Sequence, residues 1–475
     1  MPLGQLLVEN SLIDSSQLDQ ARKHQKVAGG TLVDSVLALE LVDPIELDTF
    51  LGQAPLAEVE IEGTGLGLQF LLGFVTKAIY ITGLETAPEL SEFTKLDSSV
   101  LQEVLEDAKQ RHLVDVLGLA DTRRSIYRYA LTDAGRRWAS EAIEQCTYAG
   151  PAPVTLDVWQ SQVLKQSIGR DRATPDSIAE ALSHLVLPDS VVRRLGPAAN
   201  SGRAILLYGA PGNGKTSVAE ALGSAYSQAI YIPYAVEIDG QIIKVFDAAV
   251  HQAVEPAPAQ DARWVRCKRP VVVTGGELTI EMLDLEYDPV TKTYEAPAHI
   301  KATGGVYILD DFGRQRVRPE DLLNRWMIPL ERRVDYLTLH TGKKVKVHFD
   351  ELVIISTNTK PSELIDSAGL RRIPYKLELD VPTLEDYSAI FRRQCRAYGL
   401  ELPEAVLRYL LDEFYPGSGV EISAAHPRFL LDHVLERCRF EDRGLVIDLE
   451  HIFDAVHSLV VENEPPRPSA LATGA

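Results

Sequence analysis

The stretch that decides the fold is Gly209-Ala210-Pro211-Gly212-Asn213-Gly214-Lys215-Thr216, which fits the phosphate-loop pattern G-x-x-x-x-G-K-[ST]. It stands between an apolar run at residues 204–208 and a segment of helical character at 216–226. A turn in this position directs backbone N–H groups and the positive end of a helix toward phosphate oxygens. The sequence therefore predicts a nucleoside triphosphate site here, against the alternative of a glycine-rich turn that binds nothing.

Each residue type in the loop has a chemical reason to be there. Glycines let the backbone curl around a phosphate without a Cβ clash, Lys215 supplies a charge to the β- and γ-phosphate oxygens, and Thr216 supplies a hydroxyl to Mg²⁺. ATP and Mg²⁺ are thus the predicted cofactors. The predicted nucleotide-binding residues of the loop are Gly209, Pro211, Gly212, Asn213, Gly214, Lys215, Thr216 and Ser217.

Two further apolar runs end in polar residues. Residues 305–309 lead into Asp310-Asp311, and residues 352–356 lead into Thr357-Asn358. At the carboxyl ends of parallel strands these side chains would meet the phosphate loop. Asp310 is the predicted Mg²⁺ ligand, beside Thr216; Asp311 is predicted to activate the attacking water, and Asn358 to position it. Tandem acids that merely cap a strand are the alternative.

In this order, the strand, phosphate loop, tandem acids, strand-terminal Asn358 and helical C-terminal region resemble the AAA+ ATPases over most of residues 200–461. The resemblance implies a doubly wound parallel sheet, a helical lid, ATP hydrolysis and assembly of identical subunits, commonly into a hexameric ring. Asp310-Asp311-Phe312-Gly313-Arg314, Leu322-Leu323-Asn324 and residues 329–334 look like the clade of MoxR-type ATPases. One departure is the second acid, Asp311, which is usually Glu in the family; its shorter reach predicts slow hydrolysis.

Three arginines extend this resemblance. Leu370-Arg371-Arg372-Ile373 is similar to the motif in which an arginine enters the neighbouring subunit's site, so Arg371 and Arg372 are both candidates for stabilising charge on the γ-phosphate. His426-Pro427-Arg428-Phe429 is similar to the lid segment that places an arginine, here Arg428, over the nucleotide. The alternative in each case is a surface arginine in a weak ion pair.

The first 58 residues contain a repeat with a period of 29, with Asp14 and Asp43 at equivalent positions as predicted helix N-caps. The first copy resembles the N-terminal helical domain of type II secretion and pilus-assembly ATPases, which in some members binds cyclic di-GMP. The family's arginine before Leu-Gly is replaced by Pro2 and, in the second copy, by Thr31, which removes the best phosphate donor. We therefore favour a docking module over a cyclic di-GMP sensor.

Residues 64–146 show three helical segments, two alternating stretches and a fourth helix, an order that resembles a winged helix. The third helix would read DNA, yet it carries Glu103, Glu106 and Asp107. Arg123 and Arg124 at the expected wing tip could still touch a nucleic-acid backbone. We favour contact with protein over contact with DNA.

Composition limits the partners. The chain has 475 residues, 45% of them hydrophobic, and a net charge of −20, which argues against broad nucleic-acid coating. The longest apolar stretch, residues 68–84, is interrupted by Gly73, Lys77 and Gly83, so no membrane span is expected and the predicted location is the cytoplasm. The four cysteines are scattered and indicate neither a disulfide framework nor a zinc site.

The predicted architecture is multidomain α/β. Its parts are a helical repeat domain (1–58), a winged-helix-like domain (64–146), a linker and helical lead-in (147–200), an AAA+ large subdomain (201–383) with an insertion (235–300), a helical lid (384–461) and a disordered tail (462–475). The predicted function is an ATP-hydrolysing motor that remodels or assembles a protein partner, near secretion, pili or motility by analogy. Two alternatives are a nucleotide-switched transcriptional regulator and an ATP-binding scaffold with little hydrolysis.

Overall fold

The computed structural model describes residues 4, 7–8, 11–28, 32–44, 46–47, 50, 54–121, 126–256, 260–460 and 464–469. Within them, none of the helices has the length and apolar character needed to cross a bilayer. The elements form a mixed α/β structure around a central parallel sheet.

The N-terminal segment includes helices α1 (Ser15–Ala28) and α2 (Leu32–Ala38). The carboxylate of Asp14 accepts a hydrogen bond from the backbone of Gln17 (2.8 Å), and that of Asp43 from Glu46 (3.2 Å), so both act as N-caps. The repeat also appears in the core, where residues 29 apart are buried in pairs: Leu7 and Val36, Ile13 and Val42, Leu18 and Leu47, Ala21 and Phe50. Pro2 and Thr31, on which the cyclic di-GMP argument depends, lie outside the described residues.

The next module has its own apolar core, formed within residues 61–152. Its elements are α3 (Leu68–Thr82), α4 (Ala87–Thr94), α5 (Ser98–Gln110), the antiparallel hairpin of β1 (Val114–Asp121) and β2 (Ile126–Leu131), and α6 (Asp133–Gln145). This is the order that the sequence predicts. Basic side chains at the end of α5 pair with acids one turn earlier: Lys109 with Glu106 (3.7 Å), and Arg111, just after the helix, with Asp107 (2.5 Å). Arg123 and Arg124 lie outside the described residues.

The chain then enters the α/β region. The lead-in elements are β3 (Val154–Thr155), α7 (Leu156–Lys165), α8 (Pro175–Ala181) and α9 (Asp189–Asn200). The following elements are β4 (Ile205–Tyr208), α10 (Lys215–Ser224), β5 (Ile230–Pro233), β6 (Ala235–Ile238), β7 (Gln241–Lys244), β8 (Trp264–Cys267), β9 (Val271–Thr274), β10 (Glu286–Asp288), β11 (Thr293–Glu295), α11 (Ala298–Lys301), β12 (Val306–Leu309), α12 (Pro319–Arg332), β13 (Val334–Thr338), β14 (Lys344–His348), β15 (Leu352–Thr357), α13 (Pro361–Leu364), α14 (Ser367–Arg372) and β16 (Tyr375–Glu378).

The central sheet has the order β16-β4-β15-β12-β9, and every neighbouring pair is parallel. Its strands read as nearly continuous apolar runs because both faces are covered, one by a core that includes α9 and α10 and the other by a core that includes α12. The carboxyl ends of β4, β15 and β12 are therefore adjacent. This arrangement brings together the loops that carry the polar residues predicted from the sequence.

A second sheet has the order β10-β11-β7-β6-β3, and β5 pairs with β8 as a separate two-stranded unit. The hairpin of β6 and β7 turns at Asp239-Gly240, where both residues have positive φ, as a two-residue hairpin loop requires. Strand β9 lies inside the range 235–300 but belongs to the central sheet. The predicted single insertion at 235–300 is therefore two separate segments, one before and one after a strand of the central sheet.

The C-terminal helices are α15 (Leu384–Ala397), α16 (Glu404–Arg408), a π-helix at Tyr409–Phe414, α17 (Tyr415–Ser418), α18 (His426–Phe440) and α19 (Leu449–Val456), packed around one apolar core. Residues 464–469, within the predicted disordered tail, lie against this region. Tyr409 Oη donates to Pro466 O (2.8 Å), and the backbone and hydroxyl of Ser469 donate to the carboxylate of Glu413 (2.8 and 2.7 Å). The described part of the tail is therefore bound to the π-helix rather than free.

Candidate nucleotide site

The loop between β4 and α10 needs its glycines for two reasons. Gly209, Gly212 and Gly214 have φ of 139°, 79° and 79°, values that side-chain-bearing residues rarely adopt. A Cβ on Gly209 would lie 2.3 Å from the carbonyl oxygen of Leu379, and one on Gly212 would lie 2.3 Å from Ser423 Oγ. The glycines thus allow the left-handed turn and the close packing of two segments against it, the one after β16 and the one before α18.

Lys215 is the first residue of α10, and its side chain folds back over the loop. It is 7% exposed, and Nζ donates to the carbonyl oxygens of Gly209 (3.0 Å) and Ala210 (2.9 Å). Burial lowers the pKa of Lys215, while the nearby carboxylates of Asp311 and Asp310 act in the opposite direction. The amine is therefore held between the loop and the two acids.

Asp310 follows β12 and connects three elements. Its two carboxylate oxygens accept from Thr216 Oγ1, at 3.0 and 2.9 Å, and Oδ1 also accepts from Ser356 Oγ at the end of β15. A carboxylate beside an aliphatic hydroxyl is an oxygen donor set that suits Mg²⁺. The residues present fit this ion, and Thr216 and Asp310 are those that would hold it.

Asp311 has a backbone conformation that is unusual for a residue with a side chain. Its φ is 50°, in the left-handed region, where single non-glycine residues store strain and cluster at functional sites. Its carboxylate Oδ1 accepts a hydrogen bond from Asn358 Nδ2 at 2.9 Å. The carboxylate and the amide predicted to orient water are thus in direct contact.

These residues face one cleft of about 740 Å³. Residues 184–187, between α8 and α9, form one wall, and Ile390, Arg393, Arg428 and Phe429 of the C-terminal helices form the other. Asn213 is 6% exposed, and its Nδ2 has no hydrogen-bond partner among the described residues. A buried amide donor left unsatisfied at the loop is what a site that awaits an anionic ligand would show.

The predicted arginines divide into two groups. Arg428 lines the cleft from α18, its side chain is 75% exposed, and its one ion pair among the described residues is a long contact of 3.9 Å to Asp432. Arg371 and Arg372 do not line it. They border a separate cavity of about 800 Å³, together with Arg203 and Arg333, at the edge of the sheet where β4 and β15 begin.

Several residues at the site were missed from the sequence. Ser356 is the last residue of the apolar run at 352–356, so its position at the strand end was predicted, but no role was assigned to it. Arg314 belongs to the stretch that resembles the MoxR-type clade but was given no role, and Gln315 and Arg393 carried no signal, because their placement depends on a turn and on a helix packed from far along the chain. Residues 263–269 form a basic stretch in the sequence, but two of its arginines are buried in ion pairs within the protein. Arg263 pairs with Asp261 and Arg269 with Asp171, both at 2.8 Å.

Comparisons with known proteins give limited similarity. A family model described as a domain of unknown function, DUF8689, matches residues 383–458, which contain the C-terminal helices. No curated protein matches the chain. Among solved structures, NtrX from Brucella abortus in complex with ADP is 14% identical (TM-score 0.38, covering 72% of this chain and 70% of that one).

Two other solved structures come from Thermotoga maritima. Domain III of the replication initiation protein DnaA is 14% identical, with a TM-score of 0.34, and the match covers 61% of this chain and 98% of that one. The Holliday junction branch migration motor RuvB is 15% identical, with a TM-score of 0.34, over 58% of this chain and 70% of that one. At TM-scores below 0.5 these three structures assign no activity to this chain.

Proposed function

We propose that the chain binds Mg²⁺-ATP in the cleft above β4, β15 and β12 and hydrolyses it as an AAA+ motor. The observation that carries the proposal is the contact between Thr216 and Asp310, at 2.9 and 3.0 Å, in the same cleft as Lys215 and Asp311. A metal-binding hydroxyl, a metal-binding carboxylate, a phosphate-binding amine and a second acid are the groups that phosphoryl transfer to water requires.

The roles follow from the positions. Backbone N–H groups of the loop and Lys215 would bind the phosphates, and the apolar side chains of Leu185, Ile390 and Phe429 would hold the base. When bound, Mg²⁺ would neutralise charge on the phosphate oxygens. Asp311, held by Asn358, would orient the attacking water and accept its proton.

The direct test measures nucleotide affinity with a fluorescent ATP analogue and turnover by phosphate release. Lys215→Ala should lose both, because the removed amine supplies the charge that binds the phosphates. Lys23→Ala, at an exposed position of α1, is the matched control and should behave as the unaltered chain. Unchanged nucleotide affinity in Lys215→Ala would show that the loop has been misinterpreted.

We further propose that the active form is an assembly of identical subunits. Support comes from Arg371 and Arg372, which border a different cavity from the cleft of their own chain and would have to act in a neighbour's site. A hexameric ring is the arrangement that the AAA+ resemblance implies. Turnover per subunit should then rise with protein concentration, whereas a rate independent of concentration would contradict the proposal.

The client is proposed to be a protein, held by the N-terminal modules. Helix α5 supports this, because its exposed face combines Glu103 with the internally paired Lys109 and Arg111 and so offers phosphates little attraction. The resemblance of residues 1–58 would place that client near secretion, pili or surface motility. Pull-down with separate deletions of 1–58 and 64–146 tests the assignment, and a salt-sensitive DNA complex lost on changing Arg123 and Arg124 would replace it.

A further inference from the structure

The side chain of Gln315 bonds across the turn that follows the two acids, in addition to a backbone bond from Arg314 N to Asp311 O (2.9 Å). Its Nε2 donates to the carbonyl oxygens of Asp310 (2.8 Å) and Asp311 (3.2 Å), with a longer contact to that of Gly275 (3.4 Å). Its Oε1 accepts from the backbone N–H of Gly313 (2.9 Å). One amide group therefore bonds to three backbone groups of the turn and reaches the end of β9.

The backbone carbonyls of Asp310 and Asp311 lie on either side of the Cα atom of Asp311. The carbonyl of Asp310 belongs to the peptide before Asp311, and the carbonyl of Asp311 to the peptide after it. The φ and ψ angles of Asp311 set the orientation of these two peptide planes relative to each other. The plane after Asp311 is also held by the bond from Phe312 N to Ser356 O (2.7 Å), whereas Gln315 bonds to both planes and so helps to hold Asp311 at its left-handed φ of 50°, a conformation that costs energy when the surroundings do not enforce it.

We propose that Gln315 is a positioning residue for Asp311, fixing its backbone while Asn358 fixes its side chain. This inference rests on the proposed function, since it takes Asp311 as the acid that orients water. Gln315 itself touches no reacting group. Its effect should appear in the catalytic step and leave nucleotide binding intact, because its hydrogen bonds among the described residues go to the turn and to Gly275 and not to the phosphate loop.

The alternative is that Gln315 only stabilises the fold. Two features separate the explanations. First, within the described residues Gln315 forms side-chain hydrogen bonds only with the turn of residues 310–315 and with Gly275. Removing its side chain should therefore disturb the structure only at this turn. Second, the side chain of Asp311 is one methylene shorter than the Glu that is usual at this position in the AAA+ ATPases, which the chain resembles. A shorter side chain has less freedom to compensate for a displaced backbone.

The experiment uses the full chain with Gln315→Ala and Gln315→Glu, and with Gln252→Ala, an exposed loop glutamine, as the matched control. We expect kcat to fall about 10- to 100-fold, the effect of a displacement near 1 Å in a catalytic group, while the Kd for a fluorescent ATP analogue stays at its original value. Gln315→Glu should be at least as slow as Gln315→Ala, because a carboxylate accepts hydrogen bonds but cannot donate to the two carbonyls. Gln252→Ala should change neither quantity.

A second measurement does not depend on hydrolysis. Hydrogen exchange of the backbone amide of Gly313 should be faster in Gln315→Ala, since its acceptor is removed. Unchanged exchange together with unchanged kcat would overturn the inference, as would a parallel loss of kcat, nucleotide affinity and melting temperature. If the unaltered chain and Lys215→Ala hydrolyse ATP equally poorly, the proposed function fails, and the exchange result alone decides whether Gln315 holds the turn.

Discussion

Thr216 and Asp310 are 94 residues apart in the chain, yet the hydroxyl of Thr216 lies 2.9 and 3.0 Å from the two carboxylate oxygens of Asp310. The strands that lead to them, β4 and β12, are not neighbours, because β15 lies between. Ser356, at the end of that middle strand, donates to the same carboxylate. The contact therefore links the first turn of α10 to the ends of two neighbouring strands, β12 and β15, of the buried parallel sheet.

Asp310→Asn should abolish Mg²⁺-dependent turnover while preserving the fold. The amide keeps the size of the carboxylate but loses the charge that the metal requires, and we expect a fall in kcat of roughly 100-fold or more. The measurement is phosphate release during a Mg²⁺ titration. Asp321→Asn, at a partly exposed residue paired with Arg318, is the control. An unaltered Mg²⁺ dependence in Asp310→Asn would contradict the assignment.

Asn358→Ala should slow turnover by about 10- to 100-fold with nucleotide affinity retained, because it removes the donor that holds Asp311 Oδ1. Asp311→Ala should do the same. If the two side chains act as one unit, the double variant should be no slower than the slower single variant. Multiplication of the two single effects would show that they act independently.

Most residues of the candidate site could be predicted from local sequence patterns, because a phosphate loop and polar strand ends are each recognisable within a few residues. The cleft brings Lys215, Thr216, Asp310 and Asp311 together because parallel strands end at one edge. What could not be predicted depends on long-range packing. Gln315 reaches Gly275 only because β9 pairs with β12, and the membership of β9 in the central sheet is not evident from a four-residue apolar run.

Stability should fall as the pH is lowered, through the buried cluster of Asp335, Arg325 and His299. Asp335 is 1% exposed and accepts from Arg325 Nη1 (2.6 Å), Arg325 Nη2 (3.0 Å) and His299 Nε2 (3.0 Å). Burial raises the pKa of Asp335, but these hydrogen bonds outweigh it and leave the pKa lowered from 3.8 to about 2. Its contribution is therefore complete above pH 3.8 and lost as the pH falls from there toward 2.

His299 acts in the same direction at higher pH. Burial lowers its pKa below 6.5, so that below this pH the unfolded chain binds a proton that the folded chain does not. Arg325→Met should cost about 3–5 kcal/mol at pH 7, because it leaves a buried carboxylate without its cation. Urea unfolding at pH 7 and pH 4 measures both effects. The variant should differ less from the unaltered chain at pH 4, because without Arg325 the pKa of the buried Asp335 carboxyl rises and protonation relieves the unpaired charge. An equal difference at both pH values would contradict this account.

Arg371 is the better of the two candidates for action in a neighbouring site. Arg372 Nε is bound to Glu331 at 2.8 Å, whereas the exposed side chain of Arg371 makes no hydrogen bond or ion pair with the described residues. Arg371→Ala should lower turnover by about 10³-fold or more if its guanidinium stabilises charge on the transferred phosphoryl group. Arg372→Ala, as the matched change, should retain most of the activity.

Mixing separates action within one chain from action between chains. Lys215→Ala lacks a working cleft but retains Arg371, and Arg371→Ala has the opposite defect. In an assembly that contains both, the intact cleft of one subunit meets the intact arginine of another, so two inactive preparations should regain part of the turnover when combined. Size-exclusion chromatography confirms that the two variants assemble. Mixed assemblies that stay inactive would mean that Arg371 serves no neighbouring site, and the cavity it shares with Arg203 and Arg333 would then need another explanation.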